Sequence, residues 1–326
     1  MKKILVTGGA GYIGSQIVFD LVDLGYKVVI VDNLSTGHKK LINKKAIFYK
    51  VDVGNKVEME KIFLKHPIDQ VIHLAASLSV EESMKNPSKY YLNNVVNTKN
   101  LLEICGKYKI KKFIFSSTCA IFGEGIKKVQ ESEIPNPTSH YGLTKFLCEN
   151  LIENLSKKFK FYYYILRYFN VVGADVQHRV GPINLSGQLF KNLSNCIENK
   201  KYQINIYGKN YQTRDGTCIR DYIDVNDLSR IHINCLTDKF KKKSRIINCG
   251  YGYGFSVLEI VKKFEKISGK ILKKKYLPPR KGDVSEVISV LSKKKEIQKI
   301  LSNNFDINES VKNALFWEKK IIKNNK

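Results

Sequence analysis

Apolar residues along the chain come in short continuous runs, set apart by stretches with helical spacing. Lys3–Thr7 predicts a strand, and Ser15–Leu24 predicts a helix that stops at Gly25. Lys27–Asp32, Ala46–Val51 and Gln70–Ala75 predict three more strands. Asn94–Tyr108 has helical periodicity, Lys112–Ser117 reads as a fifth strand, Tyr141–Lys157 as a helix and Phe161–Arg167 as a sixth strand. Strands that are apolar throughout, rather than at every second residue, are buried on both faces. Separated by helices, they predict a parallel sheet with right-handed crossovers, an α/β fold of the doubly wound, Rossmann type. After about Phe169 the alternation loosens, and Gly, Asn and Pro become frequent near Gly173–Gly187. The expected division is a first domain over 1–170 and a second, smaller α/β domain over 171–326. The orderly stretch Ile219–Leu236 is expected to return to the first sheet, with 219–240 as the returning segment. Lys294–Leu301 and Val311–Lys320 predict helices, and there is no internal repeat.

Composition narrows the classes. The chain has 326 residues, 43% of them hydrophobic, enough for two cored domains and too apolar for a disordered chain. No apolar run approaches the ~18 residues of a membrane span. The basic start Met1-Lys2-Lys3 with Ile4-Leu5-Val6 resembles a leader, but Thr7-Gly8-Gly9 ends the run too early. A cytoplasmic location is expected, without a membrane partner. The net charge of +26 raises the question of nucleic acid. Against it, 49 of the 56 basic residues are lysines, spread along the chain with clusters at Lys241–Lys243, Lys273–Lys275 and Lys293–Lys295. Base and phosphate readers lean on the planar fork of arginine. A solvated basic surface that attracts an anionic substrate is expected, with no nucleic-acid partner. Seven cysteines form no C-x-x-C pair, and no two histidines have zinc spacing. They read as reduced thiols, with no metal.

Two constellations carry chemistry. Gly8-x-x-Gly11-x-x-Gly14 lies between the first strand and the first helix, where backbone N–H groups and the helix N-terminus favour a pyrophosphate. Asp32 ends the second strand 18 residues after Gly14, placed for a ribose diol. Its charge would repel a 2′-phosphate, which favours NAD over NADP. Asp52 after the third strand is either an adenine acceptor or a surface loop acid. His73-Leu74-Ala75-Ala76 ends the fourth strand with small residues that would let a cofactor cross the strand ends. Tyr141 and Lys145 stand one helical turn apart on one face. A phenol is a poor base at neutral pH, and a nearby ammonium with a cationic nicotinamide ring is expected to pull its pKa down. Thr118 ends the fifth strand at the edge where open α/β sheets bind ligands. Hydroxyl, phenol and ammonium together predict a hydride-transfer site for a sugar or alcohol.

The segments VTGGAGYIGS (Val6–Ser15), VDNLS (Val31–Ser35), HLAAS (His73–Ser77), YYLNN (Tyr90–Asn94), FSSTCAIFG (Phe115–Gly123), YGLTK (Tyr141–Lys145), LRYFN (Leu166–Asn170), DGTCIRDYIDV (Asp215–Val225) and PPRKGD (Pro278–Asp283) run across nearly the whole chain. Together they resemble the extended short-chain dehydrogenase/reductase family, in its UDP-glucose 4-epimerase branch. The resemblance implies that Tyr141 takes the proton of a sugar 4-hydroxyl while the C4 hydride moves to a tightly held NAD. Lys145 would lower the Tyr141 pKa and hold the nicotinamide ribose, and Thr118 would bond the 4-oxygen. The 4-keto sugar would then turn over and recover the hydride on its other face.

The cofactor set implied is Gly8, Gly11, Tyr12, Ile13, Gly14, Asp32, Asn33, Asp52, Val53, Leu74, Ala75, Ala76, Asn94, Ser116, Tyr141, Lys145 and Tyr168. The UDP-sugar set implied is Thr118, Tyr141, Asn170, Asn184, Leu185, Tyr207, Arg220, Arg280, Asp283 and Val287. Arg220 and Arg280 would neutralise the phosphates, and Asp283 would meet the uridine ribose. Glu82-Ser83 and Asn94 are expected in loops near the nicotinamide.

Some positions depart from the family pattern. Cys119-Ala120 stands where dehydratases have Asp-Glu, which disfavours dehydration. Leu78, Phe122, Asp224 and Val290 replace a lysine, a tyrosine, a histidine and an aspartate common in relatives. Val287 is small where a tyrosine excludes N-acetylated sugars, so UDP-N-acetylglucosamine turnover is expected beside UDP-glucose, unless Val287 merely packs. A UDP-glucuronate epimerase or decarboxylase is the same-fold alternative. A non-catalytic NAD-sensing regulator is the alternative of another class, though such proteins typically lose the Tyr or the Lys. A homodimer is expected through Asn94–Tyr108 and the Tyr141 helix.

Overall fold

A computed structural model describes residues 2–123, 125–183, 188–237, 244–280, 283–290, 300–301 and 305–324. In chain order the elements are β1 (Lys3–Thr7), α1 (Tyr12–Asp23), β2 (Lys27–Val31), β3 (Ile47–Tyr49), α2 (Lys56–Lys65), β4 (Gln70–His73), α3 (Val80–Lys85), α4 (Pro87–Tyr90), α5 (Asn97–Lys107), β5 (Lys112–Thr118), β6 (Lys128–Val129), α6 (His140–Phe159), β7 (Tyr162–Tyr168), β8 (Asn170–Val172), α7 (Leu189–Glu198), β9 (Gln203–Tyr207), β10 (Ile219–Asp224), α8 (Val225–Leu236), β11 (Arg245–Cys249), β12 (Gly254–Ser256), α9 (Val257–Ser268), β13 (Lys273–Leu277), β14 (Glu286–Ser289) and α10 (Ile307–Lys323). The chain divides into two compact units.

The first unit comprises Met1–Gly123, Glu133–Tyr168 and Ser229–Asn248. Among the described residues it holds a seven-stranded sheet in the order β11-β7-β5-β4-β1-β2-β3. The pairings of β1 with β2 and β4, of β2 with β3, and of β5 with β4 and β7 are all parallel. This is the doubly wound order, with the direction of winding reversing between β1 and β4. Ile4, Leu5 and Val6 are all fully buried because the sheet is covered on both faces. Leu5, Val29 and Val31 point into one cluster with Met59, Phe63, Leu101 and Ile152 from α2, α5 and α6. Strand alternation therefore turns Ile4, Val6 and Ile30 to the opposite face. Lys112 is buried at the start of β5, and its Nζ donates to the carbonyls of Cys235, Leu236 and Thr237 at 3.1–3.2 Å. An ammonium there satisfies the last carbonyls of α8 and suits the negative helix end.

The second unit comprises Glu124–Ser132, Phe169–Leu228 and Cys249–Lys326. β10 is its hub, antiparallel to β12 and parallel to β14 and β8, with β6 on β14. β9 and β13 form a separate parallel pair. Phe190, Leu193, Ile206, Tyr222, Val261, Phe264, Val311 and Leu315 build its core from α7, α9, α10 and the strands.

The structure differs from the sequence reading in two of these elements. Of the segment expected to return, Ile219–Asp224 is a strand whose partners are in the second unit's sheet, while the residues from Ser229 on belong to the first unit, whose sheet β11 enters. Apolar patterning specifies that a segment is a strand, not which strands flank it. The expected helix Asn94–Tyr108 starts further upstream, with Pro87 opening α4 and a π-helical segment, Tyr91–Val96, leading into α5. The expected helix Lys294–Leu301 lies outside the described residues except for Ile300 and Leu301.

Candidate active site

The turn after β1 is built by close approach. Gly8 has φ +72°, and a Cβ on it would stand 2.8 Å from Ala75 N and 3.0 Å from Leu74 C. A Cβ on Gly14 would stand 2.1 Å from Gly8 O, so no other residue lets α1 lie so close to the turn. Gly11 is the N-cap of α1 and offers no side chain to the first-turn N–H groups. Tyr12 and Gly14 are buried in the first turn, with Ile13 half-buried between them. Asp32, 7% exposed at the end of β2, accepts from Ala10 N at 3.0 Å and Leu34 N at 2.8 Å. The carboxylate is thus fixed against the glycine turn. Asn33 Nδ2 donates to Asp52 Oδ2 at 2.7 Å, which joins two of the predicted cofactor residues. Val53 is 7% exposed and packs in the core, so any contact it makes with a nucleotide runs through its backbone. Leu74, Ala75 and Ala76 are half-buried just past β4. A backbone cradle that a Cβ would fill, an uncapped helix start and an anchored carboxylate fit a dinucleotide.

Thr118, Tyr141 and Lys145 meet in the same unit. Thr118 ends β5, is 8% exposed and receives Ala120 N at 3.1 Å. Tyr141 stands in the first turn of α6, capped by Ser139, and its phenol is hydrogen-bonded to Thr118. Lys145, one turn on and 2% exposed, donates from Nζ to Ser116 O at 2.7 Å and lies 4.7 Å from the centre of the Phe115 ring. Ser116 Oγ donates to His73 O at 3.1 Å. Burial lowers Lys145 to about 8, while Cys148 and Glu149 act to raise it. His73, between Thr7 Oγ1 at 2.7 Å and Thr98 Oγ1 at 2.8 Å, is pushed down to about 3 by burial and by the Lys145 ammonium. It is a neutral structural histidine.

One expectation needs correction. The sequence reading has the ammonium, together with a cationic nicotinamide ring, pulling the Tyr141 phenol down. In the structure burial dominates and pushes it up, with the Thr118 hydrogen bond acting the other way. The Lys145 ammonium is directed at the Ser116 carbonyl.

Asn94 is 2% exposed in the π-helical segment. It accepts from Ser77 N at 2.8 Å and donates to Ser77 O and Thr144 Oγ1, both at 3.1 Å. It therefore ties the loop after β4 to α6. Neither Asn94 nor Glu82-Ser83 lies in a loop, since the latter pair belongs to α3. The Tyr168 hydroxyl is paired with His232 Nε2 at 2.7 Å, inside the unit.

The remaining predicted residues belong to the second unit. Arg220 and Asp283 form an ion pair, and Arg220 Nη1 also donates to Ile219 O at 2.9 Å. The Arg280 guanidinium lies 4.0 Å from the centre of the Tyr207 ring. Val287 is 9% exposed and is the β14 residue in register with Arg220. Asn170 is exposed at the start of β8, opposite Tyr222. Asn184 and Leu185 lie outside the described residues. Asp224, the departure from the family's histidine, is buried and accepts from Asn226 N at 2.9 Å, Asn226 Nδ2 at 2.7 Å and Ser310 Oγ. It links β10 to α10.

Sequence reasoning missed the charges beneath β5. Glu149 and Arg167 pair there, each 3% exposed. The signal was present, because Glu149 continues the spacing of Tyr141 and Lys145 at i+8. Among the described residues there is no cluster of three metal-ligating side chains, and no helix is long and apolar enough to cross a membrane.

Comparison with known proteins agrees with this geometry. Residues 4–250 match the model of the NAD dependent epimerase/dehydratase family. A UDP-glucose 4-epimerase of Halalkalibacterium halodurans is 37% identical over 319 residues, 97% of this chain and 95% of that protein. The UDP-Glc/GlcNAc 4-epimerase of Campylobacter jejuni superposes with a TM-score of 0.82 at 38% identity, covering 98% of this chain and 100% of that one. The UDP-glucose 4-epimerase of Brucella ovis, solved in complex with NAD, superposes with a TM-score of 0.90 at 32% identity over 98% and 99% of the two chains. The glycine turn, the Thr-Tyr-Lys set and this full-length likeness together make the chain a member of the NAD dependent epimerase/dehydratase family.

Proposed function

We propose that this protein is a UDP-hexose 4-epimerase that interconverts UDP-glucose and UDP-galactose. The observation that carries the reading is the convergence of Thr118, Tyr141 and Lys145 at the C-terminal end of β5, two strands from the glycine turn of β1. Gly8, Gly11, Gly14 and Asp32 would hold the NAD pyrophosphate and ribose. When bound, NAD supplies the acceptor and then the donor of the C4 hydride. Tyr141 Oη takes the proton of the 4-hydroxyl as C4 is oxidised, keeps it while the hexose turns, and returns it to the 4-oxygen. Ionising a buried phenol requires positive charge nearby, and Lys145 on the next turn is the chain's own source of it. Thr118 Oγ1 fixes the 4-oxygen. Arg220 and Arg280 would receive the diphosphate, and Asp283 the uridine ribose.

Cys119-Ala120 supplies no acid–base pair for eliminating water, which supports epimerisation over dehydration. Val287 is small and stands beside Arg220 in register, and the C. jejuni relative carries both sugars in its name. We therefore include UDP-N-acetylglucosamine among the substrates. Tyr91, Leu92 and Leu143 expose 52%, 59% and 40% of their surface on the π-helical segment and α6. This apolar surface supports a homodimer through those helices, which sedimentation would show as a doubled mass. The test of function is to incubate pure protein with UDP-galactose, without added reductant, and follow UDP-glucose by NMR. No conversion at any pH would overturn the proposal.

A further inference from the structure

The chemistry above leaves the buried charge pair beneath β5 without a task. Arg167 Nε donates to Glu149 Oε1 at 3.1 Å and Nη2 to Oε2 at 2.7 Å. Ser117 Oγ also donates to Oε1. Ser117 and Arg167 are register partners across β5 and β7, and the residues after them are Thr118 and Tyr168. The guanidinium lies 5.0 Å from the centre of the buried Phe122 ring. On α6, Tyr141, Lys145 and Glu149 stand at i, i+4 and i+8, on one face. One carboxylate thus grips the strand that ends in Thr118, the strand beside it and the helix that carries Tyr141.

Stability does not explain a charge pair in this place. Desolvating both ions offsets most of their attraction, and apolar residues of equal volume commonly hold such a position at least as well. Lys145 gives the pair a purpose. Its ammonium is buried, with the Ser116 carbonyl and the Phe115 ring as neighbours. The titratable groups acting on it are Cys148 and Glu149 on its own helix, its charge in turn acts on His73 of β4, and Tyr141 stands on the same helix face. Burial raises the Tyr141 phenol and the Cys148 thiol, and His73 is neutral, so Glu149 supplies the negative charge.

We propose that the Glu149–Arg167 pair is a positioning device for the C4 chemistry. It locks the Ser117–Thr118 end of β5 to the Tyr141–Lys145 face of α6, with Glu149 as counter-charge to the buried Lys145 ammonium. The inference rests on the 4-epimerase reading. Removing an anion lowers the pKa of every group that faces it, and removing a cation raises it. Glu149→Gln therefore moves both limbs of the pH profile of kcat/KM toward acid by about one unit. Arg167→Gln moves both toward alkali. A purely structural role would lower the whole profile and leave the limbs in place.

The experiment measures UDP-galactose conversion across pH for the NAD-loaded wild type and both variants. Ultraviolet difference titration of the phenolates, with Tyr141→Phe as blank, gives the same shifts without turnover. If either single variant fails to fold, Glu149→Gln/Arg167→Met removes both charges and is compatible with folding. Glu149 is one turn from Lys145, so the alkaline limb of the double variant still moves toward acid. Folded variants whose limbs stay where the wild type has them overturn the inference alone. A wild type inert at every pH overturns the parent reading and this inference with it.

Discussion

Gly142→Ala separates helix propensity from tertiary geometry. Gly142 follows Tyr141 in α6, and its N–H donates to the Ser139 cap at 3.1 Å. In a helix, alanine is better than glycine by about 0.8–1.0 kcal/mol, so local preference predicts a more stable protein. The surroundings predict the reverse. A Cβ there would stand 2.4 Å from Ala120 O and 3.1 Å from both Ala120 C and Pro137 Cβ. Ordinary contact begins near 3.4 Å, so helix or turn must retreat by about 1 Å, and the obstacle is backbone. The turn is the one whose Ala120 N–H is held by Thr118 Oγ1, and the helix is the one that carries Tyr141. Overpacking of this kind costs about 1–3 kcal/mol, which outweighs the propensity gain. A displacement of about 1 Å between catalytic groups lowers kcat by about a hundredfold. Initial rates of UDP-galactose conversion, NAD content per chain and urea unfolding check the three parts. NAD content should be unchanged, since the glycine turn of β1 is untouched. A variant with wild-type kcat and raised stability would refute the reasoning.

Three further outcomes follow from the same geometry. Tyr141→Phe should lower kcat by roughly 10²–10⁴-fold while NAD stays bound, because the proton carrier is lost and the cradle is not; single-turnover NMR with a NAD assay checks it. His73 is held at about 3 in the fold against 6.5 when unfolded, so below pH 6.5 the unfolded chain binds the extra proton and stability falls as pH falls toward 3. His73→Gln should remove roughly 2.5 kcal/mol of the stability lost between pH 7 and 4.5, read from urea midpoints at the two values; an unchanged acid loss would show that His73 is not its source. Val287→Tyr should abolish UDP-N-acetylglucosamine turnover and spare UDP-glucose, measured as a ratio of kcat/KM values.

Much of the first unit was legible because its signals are local. Continuous apolar strands, a glycine turn between strand and helix, an acid at the next strand end and a Tyr–Lys pair one turn apart each lie within a few residues. Each also imposes its own geometry. The second unit was less legible. Its strands are short, and β10 takes partners from β8, β12 and β14, far apart in the chain. No periodicity encodes such pairings. The Glu149 spacing was visible, but a carboxylate on a helix is ordinarily a solvated face. Only the register of Ser117 against Arg167 shows that it is buried and gripped.

The sequence by itself determined the fold class, the glycine turn between strand and helix and the Tyr–Lys pair on one helix face, because these depend on residue type and short spacing. Tertiary structure alone decided the protonation landscape. The Tyr141 phenol is raised rather than lowered, Lys145 sits near 8, and His73 is a neutral strut between two threonines. The physical reason is that desolvation depends on what surrounds a group in three dimensions. The Tyr141–Lys145 spacing is the same whether the helix face lies in water or under a sheet, and only packing distinguishes the two.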